Sequence, residues 1–358
     1  MARLLMTATD DNYKDATARS SANGLQSLLT SETFLYIVKR VLQGLLTLLL
    51  ASALSFAIIQ LTPGGFLALL DHNPKISQET KEQYIALFGL KDPPIVQYFK
   101  WLWQVVTQFN FGLSFTYFRP VSSLLLERIP ATLLMSLTSI ILTWAIAIPL
   151  GILSAVKQNQ FIDKFFRVIS YLGQGFPSFI TALLLLILAQ NVSPLLPVGD
   201  MTSINYSEYS PIGKVLDIAW HMILPTIALT VTSFAGLQRL MRGQLLDVLR
   251  QDYIQTARAK GLPENKVIYV HALRNAINPL ITLLGFEFSS LLSGAFIAEF
   301  FFNWPGLGRL ILQAVTAKDL YLVMGSLMMG ATMLIIGNLL ADLLLKAVDP
   351  RIKLEDLK

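Results

Sequence analysis

Cysteine is absent from the 358 residues, so the chain cannot build a disulfide, a thiolate metal site or a cysteine nucleophile. Charge is scarce too. Asp, Glu, Lys and Arg make up 14% of the chain, hydrophobic residues 54%, and the mean hydropathy is +0.56, which excludes an ordinary water-soluble globule. No G-x-x-x-x-G-K-[ST] phosphate loop, H-E-x-x-H pair or G-x-S-x-G elbow occurs, so no recognisable site for ATP hydrolysis, zinc or an activated serine is encoded. No cofactor and no bound metal are implied. The net charge of +5 does not point to nucleic acid, because the basic residues gather beside apolar runs, where they set membrane orientation.

What the chain has in quantity is long apolar sequence. Six runs, 41–61, 131–156, 168–192, 218–237, 280–298 and 320–341, each approach the ~20 residues needed to cross hydrocarbon. The expected fold is an all-α integral membrane protein with six transmembrane helices, a helical extracytoplasmic loop and a charged cytoplasmic loop. Pro149 with Gly151 marks possible kinks in the second span, and Gly173, Gly175 and Pro177 mark a break or tilted entry in the third. Six spans put both termini on one side. Of the 28 Lys and Arg, 19 fall in the tail, loops and C-terminus on that side, which makes it cytoplasmic.

The remaining segments divide as follows. Residues 1–33 form a polar cytoplasmic tail, 34–61 the first helix, and 62–130 an extracytoplasmic region. A polar helix over 77–87 and an aromatic helix over 95–108 lie in that region. The second is opened by Pro94, carries Tyr98, Phe99, Trp101 and Trp103, and either lies in the interface or is re-entrant. Residues 131–346 form a five-helix core that includes the loop 238–279, and 347–358 a cytoplasmic C-terminus.

The most specified stretch is in that loop: Asp252, Tyr253, Ile254, Gln255, Thr256, Ala257, Arg258, Ala259, Lys260, Gly261, Leu262, Pro263 and Glu264. Arg258 and Lys260 suit a helix C-terminus, Gly261 can take the left-handed closing conformation, and Pro263 with Glu264 suits the first turn of a new helix. Ile254, Ala257 and Gly261 recur at helical spacing, and the small ones would let another protein come close.

This stretch, with His271, Ala272, Leu273, Arg274, Asn275 and Ala276, resembles the EAA loop of ABC-importer permeases of the dipeptide, oligopeptide and nickel group. Asn110 to Ser114, Trp304 to Arg309 and Asp349 to Lys353 are similar to other segments of that family. Gln255, Thr256 and Ala257 stand where the general pattern has Glu-Ala-Ala. The resemblance implies a type I importer fold and a coupling helix seated in an ATP-hydrolysing subunit, with Asp252, Tyr253, Gln255, Ala257, Arg258, Lys260, Gly261, Leu262 and Glu264 as coupling residues. It also implies two ATPase subunits, a second homologous permease, an extracytoplasmic substrate-binding protein, a lipid-embedded inner-membrane location, and no enzymatic role for this subunit.

Glu287 interrupts the fifth span. Glu287, Ser290 and Gly294 share one helical face, with Glu299 near the outer end, and these four are candidates for the pathway. For Glu299 the competing reading is a capping or ion-paired acid. The rival function is a stand-alone secondary transporter using Glu287, Asp342 and His221 as an ion site. Nickel import would favour His, Cys or carboxylate clusters, and three His with no Cys favour peptides instead.

Overall fold

The computed structural model describes residues 32–61, 77–89, 91–192 and 196–348, with no side-chain description at some helical positions, notably 285–294. The turn expected at residues 63–65 and the C-terminal motif at 349–353 lie outside the described residues. Among them the fold is helical: α1 Glu32–Leu61, α2 Gln78–Phe88, α3 Pro94–Gln108, α4 Val121–Val156, α5 Phe161–Gly175, α6 Ser178–Val192, α7 Pro211–Leu249, α8 Asp252–Ala259, α9 Asn278–Phe301, α10 Leu307–Thr316 and α11 Leu320–Val348. The one β-type pairing there is an isolated bridge between Leu113 and Pro120.

By length and apolarity α1, α4, α7 and α11 can each cross a bilayer, and α5 with α6 makes a fifth candidate, bent by 103° between Gly175 and Ser178. The Gly-Gly-Pro cluster thus breaks the third run outright. Glycine weakens the ladder, and Pro177 restarts it by accepting the amides of Ile180 and Thr181. Helices α4 and α7 are longer than their apolar runs, at 36 and 39 residues. α4 begins ten residues before the expected boundary and holds Pro130 in its interior; α7 begins at Pro211, where Ser210 accepts the Gly213 amide and Pro211 fills the first turn.

α4 and α7 cross at the centre. A Cβ on Gly151 would lie 2.7 Å from Met241 Cβ and 2.9 Å from the Gln238 carbonyl, so this glycine serves close approach to α7 within an unbroken α4. The crossing also carries a buried polar seam. Gln238 donates to Ser154 (3.0 Å) and accepts from Ser170 (2.7 Å), joining α4, α7 and α5. Beside it the fully buried Asp163 accepts from the Asn159 amide, from Arg167 and, through two nitrogens, from Arg242 at 2.6 and 2.8 Å. α1 is tied to α11 by Tyr36, which donates to Asp342 (2.7 Å), and by an Arg40–Asp342 ion pair at 3.0 Å.

At the opposite end of α11, Asp319 caps the helix through the Leu322 amide. Its other oxygen takes the Ser114 hydroxyl (2.6 Å) and the Thr116 amide (2.9 Å), clamping the segment before α4.

Candidate functional site

The segment after α7 is built in two layers. Ile254 is fully buried and Ala257 nearly so; both join Leu237, Met241, Leu245, Val267, Ile268, Ala272 and Leu280 in one apolar cluster that roots α8 on the helical body. The outward layer is polar: Asp252, Tyr253, Gln255, Arg258, Lys260, Gly261 and Glu264 are exposed, and Leu262 is half-buried. Ile254 and Ala257 therefore face the helical body and not outward. The body needs an apolar anchor under α8, and helical spacing alone cannot tell an anchor from a contact face.

The turn closes as its residues dictate. Gly261 has φ +74°, its amide donates to the Arg258 carbonyl (2.9 Å), and the Leu262 amide reaches back to Ala257 (3.4 Å), the paired bonds of a glycine-terminated helix. Nothing lies within 4 Å of where a Gly261 Cβ would sit, so its requirement is conformational and its surface is open. Pro263 then accepts the amides of Lys266 and Val267, starting the next helical run. Arg258 forks onto Glu264 at 2.6 and 3.1 Å, fixing the angle across the turn. That hydrogen bond holds the Glu264 carboxyl below the ordinary glutamate range. Asn275 donates to the Tyr253 hydroxyl (2.8 Å), a second brace. Between Lys266 and Leu273 the helix widens to a π-helical stretch, Val267–Ala272, which no sequence signal foretold; such stretches recur at functional places.

The pathway candidates fare differently. Glu287, Ser290 and Gly294 lie on α9, but their side chains are outside the described residues. Glu299 is fully buried. It accepts from Thr132 (2.6 Å) and the Arg309 amide (3.0 Å), while the Leu307 amide donates to Thr132 (2.8 Å). A Cβ on Gly306 would overlap the Glu299 carboxylate, and one on Gly308 would meet the α9 backbone at Phe296 (2.5 Å). Trp304 closes the cage by donating to the Ala131 carbonyl (2.9 Å). Glu299 is thus an enclosed structural carboxyl at the start of α10 rather than an open pathway group, and the Trp304 to Arg309 segment is its wrapper.

The three-residue ion site fares no better. Asp342 is engaged by Arg40 and Tyr36, while His221 Nδ1 lies 2.9 Å from the Asp217 carbonyl and 3.7 Å from its carboxylate. The apolar run 218–237 leaves out Asp217, so the run by itself shows no acidic neighbour for His221. With α7 starting at Pro211, Asp217 sits one turn earlier, itself held by the amide and hydroxyl of Ser203.

The described residues thus make a multi-pass membrane bundle that carries a self-braced, outwardly polar element at one end. The chain is matched over residues 147–354 by the family model described as "Binding-protein-dependent transport system inner membrane component", and over 33–138 by that of its N-terminal part. It is 40% identical over 319 residues to the oligopeptide transport system permease protein AppB of Bacillus subtilis, covering 89% of this chain and 99% of that one. The dipeptide transport system permease protein DppB of Escherichia coli is 35% identical over 334 residues, covering 89% and 98%. The chain belongs to the inner-membrane components of binding-protein-dependent transport systems, the permeases of ABC importers. In that family, ATP hydrolysis lies in partner subunits.

Proposed function

We propose that this chain is one half of the translocation pathway of an ATP-driven peptide importer. Its outward face over Asp252 to Glu264 docks on a separate ATPase subunit. The observation that carries this is the braced, polar α8 turn standing on its own apolar anchor: such an element is already shaped before any partner arrives. Relatives that are permeases for oligopeptides and dipeptides support peptides as cargo. In this reading α9 supplies the sixth span, both termini are cytoplasmic, and 131–346 is the permease core with 238–279 as its coupling loop. Two ATPase subunits, a second homologous permease and an extracytoplasmic binding protein complete the assembly. ATPase closure would push on α8 and shift the spans between inward-open and outward-open arrangements.

The test is co-purification from the native membrane with Gln255→Lys plus Lys260→Glu, two exposed changes that leave Gly261 in place, beside Ala257→Arg, which strikes the anchor. The exposed pair should lose the ATPase while keeping the second permease and the fold. Retention of the ATPase by that pair, with transport intact, would sink the docking assignment.

A further inference from the structure

Helix α3 has three faces. Gln97, Tyr98, Trp101 and Val105 are buried, packing on α1, α11 and the segment at Phe111–Phe115. Lys100, Gln104 and Gln108 form a polar edge, where Lys100 pairs with Asp92 at 2.7 Å. The third face is apolar and uncovered: Ile95, Phe99, Trp103 and Val106 are 67, 60, 69 and 68% exposed. At ~100° per residue the polar edge is centred roughly 75° from the buried face and the apolar face roughly 140° from it on the other side, so a helix docked sideways on the bundle turns its polar edge one way along the bundle axis and its apolar face outward and the other way.

The side chains of Tyr98 say which way. Its hydroxyl lies 2.9 Å from Ser52 Oγ and its ring 5.5 Å from that of Phe56. Ser52 is twelve residues beyond Arg40, about 18 Å of helix rise, and Phe56 about 24 Å, both within a hydrocarbon layer ~30 Å thick that starts near Arg40. Tyr98 thus points from α3 toward the membrane centre, and it borders the uncovered apolar face on the helix circumference. Directly below on the same face of α1, Leu49, Leu45 and Leu42 are also exposed, so the apolar surface of α3 continues into that of a spanning helix.

We propose that α3 lies flat in the membrane interface at the end of the bundle away from Arg40 and Asp342. Ile95, Phe99, Trp103 and Val106 sink into the acyl chains of a phospholipid leaflet there, and Lys100, Gln104 and Gln108 stay in water. The occupant of the face is lipid, because the surface it joins is that of a span and the helix carries the Trp, the apolar face and the polar edge of an interfacial helix. The inference stands on α1 as a span and not on cargo or ATPase docking, so either can fail without the other.

The chain's lack of cysteine makes the test direct. Phe99→Cys, Trp103→Cys and Gln104→Cys are each spin-labelled in the assembled transporter, with cysteine-free partner subunits, in nanodiscs of phosphatidylethanolamine and phosphatidylglycerol. Collision rates with oxygen and with nickel–EDDA are then compared. Labels at 99 and 103 should favour oxygen several-fold and report depths roughly 5–10 Å below the phosphates, while the label at 104 favours nickel. Nickel-dominated collisions at 99 or 103 would place the face in water. Labels there that are immobile and shielded from both reagents would place it against a partner subunit. Either result overturns the proposal.

Discussion

The segments around α10 and around α8 treat their acids in opposite ways. Around α10 and the start of α11, Glu299 and Asp319 are fully buried and spend their oxygens on this chain's own hydroxyls and amides. Around α8, Asp252 and Glu264 stand at the surface, and the ion pair with Arg258 is half in water. The first arrangement makes a region rigid by itself. The second sets the shape of a short element and leaves its polar surface for something else to meet.

The sharpest way to break this contrast is Glu299→Ala, which leaves the Thr132 hydroxyl and the Arg309 amide buried without their acceptor. At about 1–3 kcal/mol for each orphaned group, it should cost several kcal/mol and lower the melting temperature of the detergent-solubilised protein in a size-exclusion thermal assay. An unchanged melting point would mean the cage does not hold that end. Asp163→Ala should cost about 1.5–3 kcal/mol, read in the same assay, because two hydrogen bonds from Arg242 join α7 to α5 through this carboxylate, which also takes one from Arg167 of its own helix. Arg242→Lys, which keeps the charge but cannot fork, should lose only part of that amount.

In the α8 turn itself the effects are smaller in stability and larger in partnership. Gly261→Ala meets no neighbour but must hold φ +74°, so about 1 kcal/mol is expected, with weaker ATPase co-purification from a loosened turn. The smallest effect concerns pH. Arg258 depresses the Glu264 pKa, so the pair's contribution is present above the ordinary glutamate value and is lost as pH falls through the lower folded one. A nitroxide at Ala259→Cys should therefore keep constant mobility from pH 8 to 5 and loosen only in stronger acid; in Glu264→Gln the mobility should not respond to pH. Loosening near neutrality would assign the turn's order to some other group.

Much of this was legible in the residues. Pro94, Gly261 and Pro263 act locally, through fixed or positive φ, and each sits where its chemistry requires. The broken third run was also announced, by Gly173, Gly175 and Pro177, because backbone strength along one helix is a local property. The sequence did not disclose anything that depends on which helices meet. Ala257 read as a contact position, yet it faces its own body. Glu299 read as a pathway candidate, yet Thr132 and the Arg309 amide, brought in from α4 and α10, enclose it. Asp163, Gln238 and Asp319 drew no notice in the sequence, since a lone polar residue beside an apolar run shows its partners only once distant helices cross. The same limit applied to His221, whose companion became visible when α7 was seen to begin at Pro211.

The unbroken length of α7 has a mechanical consequence. Thirty-nine residues of continuous helix make a rod of roughly 58 Å, running from Pro211 to the last turn before α8. Such a length converts angle into distance: pivoting as one piece by about 10° around its middle, with no bend at the internal Pro225, would carry its two tips about 5 Å each in opposite directions. Two pairs of distance probes, each joining one tip of α7, near Ser210 or near Arg250, to a reference site outside α7 at the same end, would then record opposite swings of comparable size during turnover. The ratio of the two displacements would locate the fulcrum along α7.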